Sequence, residues 1–193
     1  MHVVVGLGNP GPAYQQTRHN LGWMVLEHAA RRWGIALAQQ GQALQGQGVI
    51  HGCAVLLALP LIWMNQTGEV VHSILQAQKL SSPDLILVYD DLDLPLGLFK
   101  IKTHGGAGGH NGLRSVMSCL GTQDFCRLKI GIDRPPVNVD PAQYVLSPFA
   151  QHERESVNAV LSHVVDALEC LIQDGVSVAM NRFHTRPPRQ EIE

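Results

Sequence analysis

The sequence predicts an α/β fold, a single domain with an open, twisted, mixed sheet and helices on both faces. Continuous apolar runs at 2–7 and 85–89 have the character of strands buried on both sides. Between such runs lie segments with apolar residues at three- and four-residue steps, so strands and helices alternate with no linker between them. A length of 193 residues suits one such domain and is too short for two ordinary ones. The expected organisation is one domain over 1–185 and a mobile tail at 186–193, where two prolines and mixed charge discourage packing.

The elements follow in order. The strand at 2–7 runs into Gly8-Asn9-Pro10-Gly11-Pro12, which must be loop. From Thr17 the pattern is helical, with Leu21, Met24, Val25, Ala29 and Trp33 on one face and Gly34 closing it. His19 is expected in the first turn of that helix. Strands at 43–50 and 53–59 form a pair turning at Gly52. Thr67 is placed to cap a helix to about Gln78 that buries Val70, Val71, Ile74 and Leu75. The interior strand at 85–89 ends in Asp90-Asp91-Leu92-Asp93. At 98–103 apolar and basic residues alternate, with Lys100 and Lys102 on one face. Glycine dominates 104–112 and rules out a regular element there; a helix to about Leu120 and a strand at 127–132 follow. Ser147-Pro148 reads as the start of a long amphipathic helix to about Asp174, and a shorter helix carries Val178 and Phe183.

A 45% hydrophobic content provides a real core, while no apolar run approaches the roughly 18–20 residues that span a bilayer. The start of the chain has no basic stretch and reads as a strand, not a secretion signal, so the cytoplasm is the expected location. Cys53, Cys119, Cys126 and Cys170 are scattered and form no C-x-x-C pair; they are expected to be buried or half-buried free thiols. A net charge of −2 argues against a protein that wraps nucleic acid. Locally, however, Lys100, Lys102, Arg114, Arg127, Lys129 and Arg134 face only Asp124 and Asp133, and this excess can meet a phosphate backbone or simply be solvated.

Gly6-Leu7-Gly8-Asn9-Pro10-Gly11 satisfies G-x-G-x-x-G, but the prolines hold the third glycine in a loop, so a dinucleotide site is rejected. Asn9, on that stiffened loop, is either a hydrogen-bond donor to a substrate or a residue closing a turn. His19 can take a proton from water at cellular pH if a carboxylate orients it, and Asp90, just past an apolar strand, is the candidate. Asp90, Asp91 and Asp93 can alternatively hold Mg²⁺. Asn65 and Asn111 each precede or begin a helix and can be caps. The glycine loop can cradle phosphate on its N–H groups. G-x-S-x-G, H-E-x-x-H and Walker motifs are missing, which leaves histidine, aspartate and asparagines: a set suited to activating water without a covalent intermediate.

Four ordered blocks closely resemble the bacterial peptidyl-tRNA hydrolase family. They are Val5-Gly6-Leu7-Gly8-Asn9-Pro10-Gly11 with Tyr14 and Thr17-Arg18-His19-Asn20-Leu21-Gly22; Met64-Asn65 with Thr67-Gly68; Asp90-Asp91-Leu92-Asp93-Leu94-Pro95 with Gly97; and 105–112, ending Gly109-His110-Asn111-Gly112. The resemblance implies His19 as general base and Asp90 as its orienting partner. It implies that Asn9, Asn65 and Asn111 hold the peptide part and stabilise the tetrahedral oxyanion. His110 and Asn20 would lie near the tRNA end, and Tyr14 and Met64 would line the peptide groove. A basic pair for the 5′ phosphate falls on Lys102 and Lys129, the latter a point charge where an arginine would bind bidentately. Family members often have glycine where this chain has Asp133, an extra acid beside the basic strand. The implied partner is peptidyl-tRNA, at its acceptor end and 3′ CCA, with no membrane, no metal and no cofactor, and the implied state is a monomer. Chloroplast relatives that act as RNA-splicing factors by binding are the alternative, and the intact set His19, Asp90, Asn9 and Asn111 discriminates against it.

Overall fold

The computed structural model describes residues 1–184; the tail expected at 186–193 lies outside the described residues. Seven strands among them form one sheet. They are β1 (His2–Gly6), β2 (Ala38–Gln40), β3 (Ala43–Ile50), β4 (Cys53–Pro60), β5 (Leu85–Asp91), β6 (Phe99–Lys102) and β7 (Cys126–Gly131), in the order β2-β3-β4-β1-β5-β7-β6. The central strands β4, β1, β5 and β7 run parallel, and β2, β3 and β6 pair antiparallel at the flanks, so the sheet is mixed as expected.

Helices cover both faces. α1 (Leu21–Trp33), α5 (Arg154–Asp174) and α6 (Val176–Phe183) pack on one side, against Val4, Leu57, Ile86 and Leu128. α2 (Thr67–Gln78) and α3 (Asn111–Leu120) pack on the other, against Val3, Val5, Leu56 and Leu87. Neighbouring residues of β1 thus enter opposite cores, which is why the run is continuously apolar. No helix of the described residues is long and apolar enough to cross a membrane.

Gly34 ends α1 in the left-handed region at φ 65°, returning its N–H to Ala30 and Arg31. At the other end of α1 the approach to the sheet is too close for a side chain. A Cβ on Gly22 would lie 2.3 Å from the Val88 carbonyl oxygen, and one on Gly6 2.4 Å from the Gly22 oxygen. This contact seats the start of α1 on the carboxyl ends of β1 and β5.

Several local expectations are corrected. His19 is not in α1 but in a separate 3-10 turn, Arg18–Asn20, ahead of it. Thr67 does not cap α2; it is the first helical residue, and its buried Oγ1 has no hydrogen-bond partner. Ser147 starts no helix: its hydroxyl donates to the Tyr144 carbonyl, Pro148 bridges to Thr17, and α5 begins at Arg154 after a 3-10 turn at Gln151–Glu153. A five-residue helix, α4 (Pro141–Val145), and the short β2 had no periodicity to reveal them. All four cysteines are free, but Cys119 is exposed. At the sheet edge, Ile101 of β6 donates its N–H to His184 Nε2 at 2.8 Å, tying the end of α6 to that strand.

Candidate active site

A cleft of about 770 Å³ opens beyond the carboxyl ends of the parallel strands, the place where open α/β sheets bind ligands. The loop after β1 contributes Asn9, the segment after β4 Met64 and Asn65, and β5 Asp90; the glycine loop brings His110, and α4 forms part of the far wall.

His19 Nδ1 lies 2.9 and 3.0 Å from the two Asp90 oxygens. An ionised carboxylate only accepts, so in the neutral imidazole the proton sits on Nδ1 and Nε2 keeps its lone pair. Nε2 makes no hydrogen bond among the described residues, and His19 lines the cleft. A second imidazole meets the same carboxylate: His110 Nε2 is 3.1 Å from Asp90 Oδ1. His110 also caps α3, its Nδ1 accepting the Leu113 N–H at 3.2 Å, which assigns the ring proton to Nε2. The two imidazole centroids are 4.7 Å apart, and the Tyr89 ring stands edge-on to His110 at 5.0 Å.

Burial opposes ionisation of Asp90, but the two histidines, His19 first, outweigh it through charge and hydrogen bonds and hold the carboxyl well below the usual range. For His19, burial again opposes the charged form, yet the Asp90 charge and hydrogen bond prevail and raise the imidazole above its ordinary value. Burial pushes the Tyr89 hydroxyl up to about 12, so it stays neutral in the wall of the site.

The asparagines are arranged with their oxygens occupied. Asn9 Oδ1 accepts the Met64 N–H at 2.9 Å, and Asn111 Oδ1 accepts from Arg114 at 3.1 Å, leaving each Nδ2 as an uncommitted donor on a cleft-lining residue. Asn65, in the 3-10 turn Met64–Gln66, is exposed on the cleft wall. Asn111 is the first residue of α3 and not its cap. Asn20 lies elsewhere: it is fully buried, outside the lining, and bonded to the Asn9 backbone. Tyr14 also stands back from the cleft, its ring edge-on to Trp63 at 5.8 Å. Trp63 does line the cleft and is half exposed; only its position beside Met64-Asn65 hinted at this.

The basic patch narrows on inspection. Arg127 is buried, with Nη1 and Nη2 donating to the carbonyls of Gly106 and Gln123 and the guanidinium packed over Phe125. Lys129 pairs with Asp91 at 2.5 Å and Arg134 with Asp93 at 2.6 Å. Lys102 is exposed on the cleft rim with no ion pair among the described residues. Asp91 and Asp93 are thus each matched to a different cation and do not converge with Asp90 on a Mg²⁺ position. His19, Asp90 and His110 are close enough to ligate one metal, but a metal there would displace both protons that Asp90 now accepts. Asp133 adopts a left-handed φ of 61°, and its carboxylate accepts the Leu96 N–H.

Fold and site together define an α/β enzyme of the hydrolase class, with an oriented imidazole and amide donors around an open cleft. The family model for peptidyl-tRNA hydrolase matches residues 3–191. The chain belongs to that family. Among similar proteins is a peptidyl-tRNA hydrolase of Synechococcus sp. (strain JA-3-3Ab), 43% identical over 99% of this chain and 88% of the relative. Another is that of Syntrophotalea carbinolica, 43% identical over 96% of this chain and 98% of the relative. The crystal structure of peptidyl-tRNA hydrolase from Acinetobacter baumannii superposes with a TM-score of 0.91 at 34% identity, covering 97% of this chain and 96% of that one.

Proposed function

We propose that this protein hydrolyses the ester between a peptide, or an N-blocked amino acid, and the 3′ ribose of tRNA, recycling peptidyl-tRNA released from ribosomes. The observation that carries the reading is the pairing of His19 with Asp90, which leaves Nε2 unbonded in the cleft of a chain from this family. Neutral His19 takes a proton from water through Nε2 as the water oxygen bonds to the ester carbonyl carbon. Asp90 holds the tautomer and offsets the charge that then appears on the ring. The developing oxyanion takes hydrogen bonds from the free amides of Asn9 and Asn111, each donor worth a few kcal/mol in such sites. The intermediate collapses with loss of the ribose 3′ oxygen, which recovers the proton from His19.

Met64 and Asn65 form the peptide side of the cleft, with Tyr14 supporting it through Trp63. His110 steadies Asp90 near the tRNA end. Asn20 acts through Asn9, a role that its burial and its bonds to the Asn9 backbone support. Lys102 meets the 5′ phosphate of the acceptor end, with Lys129 joining once Asp91 yields it. The enzyme works as a cytoplasmic monomer. The intact set of His19, Asp90, Asn9 and Asn111 favours hydrolysis over a purely RNA-binding role.

Release of an N-acetylated amino acid from its tRNA by wild type and His19→Ala tests the reading. The variant should lose about 10²–10⁴-fold in rate, the usual share of a general base. An unchanged rate in the variant would remove His19 from the chemistry, and an inactive wild type would sink the hydrolytic reading.

A further inference from the structure

Arg18 precedes His19 and is nearly buried, although nothing in the proposed chemistry uses it. Its guanidinium makes a two-pronged contact with Glu153, Nη1 to Oε1 at 3.0 Å and Nη2 to Oε2 at 2.8 Å. The same group lies 4.3 Å from the Tyr144 ring centroid and 4.8 Å from that of Phe149. The backbone adds two ties between the same segments: the Arg18 N–H donates to the Ser147 carbonyl at 3.1 Å, and Thr17 bridges to Pro148. Tyr144 belongs to α4, whose Pro141, Ala142 and Val145 line the cleft, and its hydroxyl donates to the Ile132 carbonyl at 2.7 Å. Burial opposes ionisation of Glu153, but the Arg18 hydrogen bonds prevail and hold its carboxyl below the ordinary value.

We infer that Arg18 is a positioning residue for the hydrolytic reaction: clamped by Glu153 and the two rings, it sets the turn that presents His19 and ties that turn to the α4 wall of the cleft. The inference rests on His19 being the base. A surface ion pair would contribute little to stability, but side chains only 7% and 12% exposed make this one hard to shift without moving the turn. The turn is three residues long and lies between a proline-rich loop and the seat of α1, so displacement at Arg18 passes directly to His19. Errors of about 1 Å in the placement of a reacting group cost on the order of a hundredfold in rate.

Arg18→Lys keeps the charge and removes the planar fork, and Glu153→Asp keeps the charge and draws the carboxylate back by one methylene, so each breaks the two-pronged fit. Steady-state deacylation of N-acetyl-aminoacyl-tRNA should show kcat down about tenfold to a hundredfold in each variant, with KM changed by less than about threefold. The pH profile supplies the readout that loss of folded protein cannot mimic. His19 is faced by Asp90 from β5 and by the His110 ring from the glycine loop. Loosening it from Asp90 lowers its pKa, so the acid limb of kcat/KM should move to lower pH. Wild-type kcat and an unmoved acid limb in a folded variant would overturn the inference and leave the clamp a fold-stabilising contact. Should Arg18→Lys fail to fold, Glu153→Asp decides by the same two readouts. An active wild type with unaffected variants overturns this inference alone, whereas an inactive wild type overturns the hydrolytic reading and this with it.

Discussion

Asn20 and Asn9 hold each other by a reciprocal pair of hydrogen bonds: the Asn20 amide donates to the Asn9 carbonyl and its oxygen accepts the Asn9 N–H, both at 2.9 Å. A side chain from the same turn as His19 thus takes the place of a strand partner for the loop that carries Asn9. The base and one oxyanion donor are fixed in a common frame.

Removing that side chain leaves a buried N–H and a buried carbonyl without partners. Asn20→Ala should cost about 2–4 kcal/mol of folding stability, read from urea midpoints. Its kcat should fall while His19 keeps its titration, because only Asn9 is set free. An Asn20→Ala protein as stable and as active as wild type would show that the loop holds its own shape.

The pairing of His19 with Asp90 fixes the sign of the pH dependence. The raised imidazole must be neutral to accept a proton, so kcat/KM should rise to half its plateau at a pH above the ordinary histidine value of about 6.5. Asp90→Asn should move this limb to lower pH and lower the plateau by about 10²–10⁴-fold. Stability follows linkage in two windows. The His19 contribution is full below about pH 6.5 and is lost as pH rises through its raised folded value. The Asp90 contribution is present above about pH 3.9 and is lost as pH falls toward its depressed folded value. Denaturant midpoints across pH check both.

Lys129 is held by Asp91, so its charge is largely cancelled before any RNA arrives. Asp91→Asn should tighten tRNA binding at low salt and steepen the slope of log affinity against log salt by about one. A filter-binding titration at several salt concentrations measures both. An unchanged slope would mean that Lys129 does not reach a phosphate.

Much of this architecture was legible because burial on both faces leaves a direct mark on sequence. The apolar run at 85–89 and the pair at 43–50 and 53–59 fall within a residue or two of β5, β3 and β4. The misread start at Ser147 shows what local chemistry conceals. Serine followed by proline is a good helix opening, but here contacts with Thr17 and Tyr144, remote or just upstream, draw the segment into an extended path. At the site, the position of Asp90 after a strand and the family resemblance together singled out its pairing with His19. The second imidazole on Asp90 was not legible, since His110 arrives from 20 residues away through a glycine loop of no regular geometry. Nor does composition distinguish a buried Arg127 from an exposed Lys102: they are register partners on one face, but Lys102 is on the border strand β6, while Arg127 is on the interior strand β7 under the carbonyls of Gly106 and Gln123.

The link from Ile101 to His184 bears on how the molecule behaves in a crowd. A strand at the border of a sheet offers unpaired N–H groups on which a foreign strand can build, and β6 is such a border. His184 occupies one of those N–H groups with an imidazole nitrogen, and α6 brings it there. The opposite border, β2, is only three residues long and fully exposed, too short to nucleate pairing. The two borders of the sheet are thus covered by a short helix on one side and kept brief on the other. Detachment of α6 would reopen that N–H of β6 to a foreign strand.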